Sequence, residues 1–142
     1  VGVFIAEVRP RWSDMDAYGH VNHANTVTLL EEARVALLFT EAARQGADGM
    51  ARGVVVARLV VDYFMPLVAD GTPVRVAMSV REMRHAAFTI DYQVHSGQSE
   101  DQVAVTAQTL LVPYDTESGR PRRLTESERD FLAAYRSGSN GA

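Results

Sequence analysis

The chain has no cysteine. A disulfide scaffold, a thiolate zinc site and a cysteine nucleophile are excluded at once. Long apolar runs are missing as well. No stretch approaches the roughly 18 residues of a membrane span, and no signal-peptide pattern opens the sequence. Val1 rather than Met stands first, as it would after loss of a short leader or tag. There is no excess of basic charge: the net charge is −4, whereas a general nucleic-acid binder is more often basic. The run Arg120-Pro121-Arg122-Arg123 is the local exception. No internal repeat and no linker divides the chain. What is present is ordinary for a globular protein, with 46% hydrophobic and 23% charged residues in 142 positions, enough to bury a core. The expectation is one cytoplasmic domain over residues 1–142, frayed after about Ser137, with no nucleic-acid partner and no membrane span.

The segment Val3 to Arg9 is rich in β-branched and aromatic residues and reads as a first strand. Arg11 to Asn25 is polar, contains Gly19, and reads as a loop. From about Thr26 to Arg44 there is no Gly or Pro. Leu30, Ala33, Leu37 and Leu38 recur there at helical spacing, as do Leu29 and Ala36. Gly46 and Gly49 end this helix, and Asn22 or Asn25 caps it. Four strands are expected next. In the first, Val55, Ala57, Leu59, Val61 and Tyr63 alternate with Val54, Val56, Arg58, Val60 and Asp62, which predicts one wholly apolar face. The others centre on Val74 to Val80, on Phe88 to Val94, and on about Gln102 to Pro113. The short gaps around Arg84 and Gly97 make them antiparallel neighbours. Thr125 and Glu128 have capping-box spacing before a short helix with Phe131, Leu132 and Tyr135. The fold class is therefore α+β, with a curled antiparallel sheet of about five strands around one long helix. Val54, Val56, Val60 and Phe64 would remain wet in a monomer, so subunit contacts are expected to cover part of that surface.

The segment from Ser13 to Asn25 concentrates two carboxylates, two imidazoles and two carboxamides in one loop. It runs directly into the long helix, whose first N–H groups lack partners and whose dipole is positive there. Such a place can stabilise an oxyanion, and a carboxylate beside it can attack a carbonyl or activate water. The competing reading is plain turn chemistry, because Asp, Asn, Gly and Ser are turn residues.

The run Asp16-Ala17-Tyr18-Gly19-His20-Val21-Asn22-His23-Ala24-Asn25, followed by Leu29-Leu30-Glu31-Glu32-Ala33-Arg34, resembles the signature of hotdog-fold thioesterases. It is most similar to the 4-hydroxybenzoyl-CoA thioesterase-like branch, whose pattern is D-x-x-x-H-V-N-N-A-x-Y and then a helix carrying E-E-A-R. Val61-Asp62-Tyr63 with Pro66, and the arrangement from Arg84 to Thr89, are similar to later strands of that fold. The resemblance implies hydrolysis of an acyl-CoA at a subunit interface, in a homodimer or homotetramer, without cofactor or metal. Asp16 matches the carboxylate that serves as nucleophile or general base. His23 matches the position whose backbone N–H polarises the thioester carbonyl. His20 and Asn22 match the element that shapes the pocket. Glu31 and Glu32 match the helix acids, and Glu32 ranks below Asp16 as a catalytic candidate. Tyr18 and Gly19 belong to the substrate-binding loop, and Arg84 and His85 are placed near the CoA phosphates. Thr26 departs from the family aromatic and His23 from the more frequent Asn, so acyl-chain preference does not transfer.

Other readings are weaker. His20-x-x-His23 lacks a clear third ligand for zinc. Asp14 reads as a turn former or a partner for Arg11. Arg120, Arg122 and Arg123 read as a solvated basic loop before they read as CoA contacts, and His95 as exposed. The alternative function is a non-catalytic acyl-CoA-binding hotdog protein. A hydratase would need an H-x-D-type motif near the helix, which is not found, and a bare scaffold would have no need of ionisable groups at a helix start.

Overall fold

A computed structural model describes residues 2–68, 71–96 and 102–137. Strand β1 (Phe4–Val8) leads through a 3-10 turn (Trp12–Asp14) to α1 (His23–Val35). That helix loosens to a π-helical stretch (Ala36–Glu41) and closes with α2 (Ala42–Arg44). Four strands follow: β2 (Val54–Tyr63), β3 (Val74–Met83), β4 (Phe88–His95) and β5 (Val103–Asp115). A two-residue β6 (Arg120–Pro121) and helix α3 (Glu126–Ala133) complete the described chain. The expected turn at Gly97 and the tail after Ser137 lie outside the described residues.

The sheet order is β1-β3-β4-β5-β2, all antiparallel, with β6 added on β5. Strands β1 and β2 therefore stand at opposite edges. The segment between them has to cross the sheet, and a helical run from residue 23 to 44, about 33 Å long, does so. Leu29, Leu30, Ala33, Leu37 and Leu38 of that run are buried. They meet Val74, Val76, Met78 and Val80 of β3, Phe88, Ile90, Tyr92 and Val94 of β4, and the inward residues of β5 in one core. This is the curled sheet around one long helix that defines the hotdog arrangement. The short C-terminal helix has its expected start: the Thr125 hydroxyl accepts from the Glu128 N–H, and the Glu128 carboxylate accepts from the Thr125 N–H.

Strand β2 departs from its expected pattern. Its register with β5 slips between Val56 and Arg58, leaving Ala57 as an extra residue. The slip exchanges the two faces. Val54, Val56, Leu59, Val61 and Tyr63 lie opposite Pro113, Leu111, Thr109, Ala107 and Val105, the helix-facing side of β5. Val55, Arg58, Val60 and Asp62 point outward. Strict alternation in sequence thus predicted the wrong partners for Val54, Val55 and Val56. Nor is the inward face sealed, since Val56 is 46% and Leu59 38% exposed. The strand is at the sheet edge, where β5 is its one partner among the described residues.

Candidate active site

The loop ahead of α1 is built by two carboxylates with different tasks. Asp14 is buried and accepts from the Arg11 N–H at 2.7 Å, from Nη2 at 3.2 Å and from Nε at 3.3 Å. Burial pushes its pKa up, but the hydrogen bonds and charge of Arg11 outweigh this and hold it below the ordinary value. Its backbone carbonyl accepts from Asn22 N–H and Asn25 Nδ2. Asp14 is thus the brace of the loop, as its reading as an Arg11 partner anticipated.

Asp16 opens a small hairpin. Its N–H donates to the His20 carbonyl at 2.6 Å, flanked by a bridge between Met15 and Val21. Oδ1 accepts from the N–H groups of Tyr18 at 2.9 Å and His20 at 3.1 Å. Oδ2 has no partner among the described residues. Gly19 turns the hairpin tip at φ +81°, a conformation that costs other residues energy. Tyr18 projects from that tip almost fully exposed. His20 is half-buried and bridges to Val68, while Val21 N–H donates to the Leu67 carbonyl, so the hairpin is tied to the chain just after β2.

Asn22 is the N-cap of α1: its Oδ1 accepts from Ala24 N–H at 2.8 Å. The choice between Asn22 and Asn25 is settled by this bond, and the helix starts three residues earlier than the Thr26 read from hydrophobic spacing. His23 is the first helical residue, and its N–H meets no acceptor among the described residues. Beside it lies a cleft of about 270 Å³ walled by Val21, His23, Thr26, Tyr63, Leu67 and Val105, among others. Tyr63 was legible only as a strand residue, yet its hydroxyl donates to the His23 carbonyl at 2.6 Å and its ring stands edge-on to the imidazole. Burial raises the pKa of that phenol. No residue spacing could have announced this contact across 40 positions. Asp16 lies outside the lining of the cleft, on the hairpin that leads into Val21.

The remaining candidates are dispersed. Glu32 is exposed on α1 and its charge bears on Arg11, away from the cleft. Arg84 and His85 sit in the β3–β4 turn. Arg84 Nε pairs with Glu82 at 3.0 Å, and the His85 carbonyl accepts from Leu124 N–H. Register puts that turn near Leu111 and Val56, whereas the cleft is level with Val94, Val105 and Tyr63. The two places are about 20 Å apart along β4, so one chain does not bring Arg84 and His85 to His23. Arg122 is corrected from a solvated cation: its guanidinium grips the fully buried Glu128 carboxylate at 2.8 Å with two nitrogens and donates to the Gly49 carbonyl. His95 is half-buried rather than exposed. Among the described residues no group of three or more metal-ligating side chains is gathered.

This geometry, a carboxylate hairpin feeding a helix start whose His23 N–H has no acceptor among the described residues, beside a cleft that His23 lines, coincides with a family match over residues 10–134. The chain belongs to the thioesterase-like superfamily. The expected enzyme class, thioester hydrolase, stands with that membership. A 1,4-dihydroxy-2-naphthoyl-CoA hydrolase of Gloeothece citriformis (strain PCC 7424) is 28% identical over 127 residues, covering 87% of each chain. A thioesterase of Thermus thermophilus, solved with coenzyme A and Zn, is 27% identical at a TM-score of 0.73, with 92% of both chains covered. A 1,4-dihydroxy-2-naphthoyl-CoA thioesterase of Synechocystis shares the fold at a TM-score of 0.74 and 20% identity, over 93% of this chain and 96% of that one. No helix of this thioesterase-like chain, among the described residues, is long and apolar enough to cross a membrane.

Proposed function

We propose that this protein hydrolyses an acyl-CoA thioester, with Asp16 as nucleophile or general base and the His23 N–H as the oxyanion donor. The observation that carries the reading is the unpartnered N–H of His23 at the head of α1, a residue that lines the cleft, directly after the hairpin that carries Asp16. Two backbone donors fix Oδ1 of Asp16 and leave Oδ2 available. The thioester carbonyl oxygen lies at the helix start, where charge developing in the transition state meets a fixed dipole. Either Oδ2 attacks the carbonyl carbon, expelling CoA thiolate and leaving a mixed anhydride for water to open, or it takes a proton from water as that water attacks. A thiolate leaves with little protonation, so the chemistry needs no cofactor. The coenzyme A in the Thermus structure and the CoA thioester named for the Gloeothece hydrolase support CoA as the carrier.

We place the complete site at the boundary between two copies of the chain. Strand β2 is an edge strand with Val56, Leu59, Val60 and Tyr63 exposed, and a second copy against it would cover them. Arg84 and His85 would reach the CoA phosphates only across such a boundary.

The test is thiol release from a panel of acyl-CoAs, acetyl through palmitoyl with benzoyl and phenylacetyl, by the wild type and by Asp16→Asn. Turnover by the wild type, with a loss of about a hundredfold or more in the variant at unchanged fold, is expected. Saturable acyl-CoA binding with no turnover of any substrate would turn the protein into a non-catalytic binder and overturn the proposal.

A further inference from the structure

Tyr63 reaches from the sheet to the first residue of α1. It closes β2 opposite Val105, and the next two N–H groups, of Phe64 and Met65, both donate to the Ala104 carbonyl at 2.8 and 3.1 Å. The strand end is pinned, so the phenol stands on a fixed base. Its hydroxyl donates to the His23 carbonyl at 2.6 Å, and its ring meets the His23 imidazole edge-on with centroids 6.3 Å apart. Both residues line the cleft.

Neither partner needs this bond for its own satisfaction. His23 opens a regular helix, so its carbonyl takes a backbone N–H one turn on. Tyr63 is 46% exposed, and a hydroxyl in reach of water loses little by giving up a protein partner. What the bond adds is direction. The other bonds around residue 23 are local to the helix start: Asn22 Oδ1 accepts from Ala24 N–H, and the Asn22 carbonyl accepts from Thr26 N–H. They move with the helix. Among the described residues, no other side chain of the sheet is hydrogen-bonded to residue 23. The N–H and the carbonyl of one residue are separated only by its two backbone torsions, so a held carbonyl limits the swing of the N–H.

We infer that Tyr63 is a positioning residue for thioester cleavage: by holding the His23 carbonyl it aims the His23 N–H at the substrate carbonyl. The inference rests on the acyl-CoA reading above and gives the sheet a part in that site. The hydroxyl stays on the His23 carbonyl and donates nothing to the substrate. A donor to a developing oxyanion works only when it is held to within about 0.5 Å and 10–20° of its productive geometry. The first turn of a helix frays when nothing outside the helix holds it. Loss of the hydroxyl therefore leaves the donor in place but loosely aimed.

The experiment uses Tyr63→Phe, which keeps the ring and removes only the hydroxyl. The probe is whichever acyl-CoA of the panel the wild type turns over fastest, isotopically labelled at its carbonyl carbon. Its stretching frequency is read by difference infrared spectroscopy when bound to Asp16→Asn, with and without Tyr63→Phe. Asp16→Asn alone is expected to lower the frequency relative to the free thioester, and Tyr63→Phe to recover half or more of that shift. In the otherwise wild-type chain, Tyr63→Phe is expected to lower kcat about tenfold, less than outright loss of an oxyanion donor would. KM, and binding of the matching S-alkyl-CoA thioether, which has no carbonyl to polarise, should stay within about twofold. The unfolding midpoint should stay near that of the wild type. Turnover and a frequency shift that are both unchanged by Tyr63→Phe overturn the inference alone. So does a loss of thioether binding equal to the loss of kcat, or a collapsed midpoint, since either makes Tyr63 a structural residue. No turnover of any acyl-CoA by the wild type, with no frequency shift in Asp16→Asn, sinks the thioesterase reading and the inference with it.

Discussion

Two aspartates two positions apart meet opposite fates, and burial and partners decide which. Asp14 is enclosed and takes hydrogen bonds from three Arg11 nitrogens, while Asp16 is half-buried with one oxygen committed to backbone donors. Replacing Asp14 by Asn removes the charge that Arg11 holds, and a loss of about 1–3 kcal/mol in urea denaturation is expected. Asp16→Asn should leave the unfolding midpoint near that of the wild type while removing turnover. The pair Arg122–Glu128 is the other residue-scale anchor. Burial pushes the Glu128 carboxyl up, but Arg122 and the Thr125 N–H pull it further down, to a net value below the ordinary 4.5. A lowered folded pKa gives stability that is present above about pH 4.5. It is lost as pH falls through the lowered folded value. Glu128→Gln should cost about 3–5 kcal/mol near neutrality, because it strands a buried guanidinium, and should flatten the acid limb of a stability–pH curve. A side chain at Gly49 would meet Glu128 Oε2 at 2.6 Å, so Gly49→Ala is expected to loosen the same anchor, seen as a lower melting temperature.

At the scale of elements, the start of α1 is where the fold and the proposed chemistry share residues. Asn22 spends its Oδ1 on Ala24 N–H and so leaves the His23 N–H as the open donor. Asn22→Ala is expected to lower stability by about 1 kcal/mol and, on the proposed mechanism, to reduce turnover beyond what that loss explains, because the helix end would fray at the proposed oxyanion site. Asn22→Asp, which keeps the cap, separates the two effects in denaturation and rate measurements. The helix itself was legible, since Leu29, Leu30, Ala33, Leu37 and Leu38 are buried as their spacing required. Its first turn was legible only through Asn22 as one of two possible caps and through the resemblance that put His23 at the helix start, because His23, Ala24 and Asn25 carry no apolar period. Strand β2 was legible as a strand and illegible in its facing. A single bulged residue at Ala57 reverses the parity of everything before it, and Val, Ala and Leu on both faces leave no polar mark of the reversal.

For the whole molecule, the open edge of β2 is the feature that matters. An exposed apolar edge strand invites another strand. Leu59→Lys is expected to shift sedimentation toward the monomer and to reduce turnover, if the site is shared between copies as proposed. Unchanged mass and activity would count against a shared site.

Local pattern sufficed for the class of fold, for the polar loop carrying Asp16 and for its running into the long helix, because turn chemistry, hydrophobic period and a long unbroken motif all act between near neighbours in the chain. Which groups meet was set by the assembled sheet and helix. Tyr63 reaches His23, Arg122 is sealed against Glu128 and Gly49, Arg34 comes to rest on Tyr92, and Arg84 and His85 fall at the far end of the sheet. These contacts join residues far apart in the chain, or turn on strand register and edge position, and no local pattern encodes the distance between two strands that pair through a third.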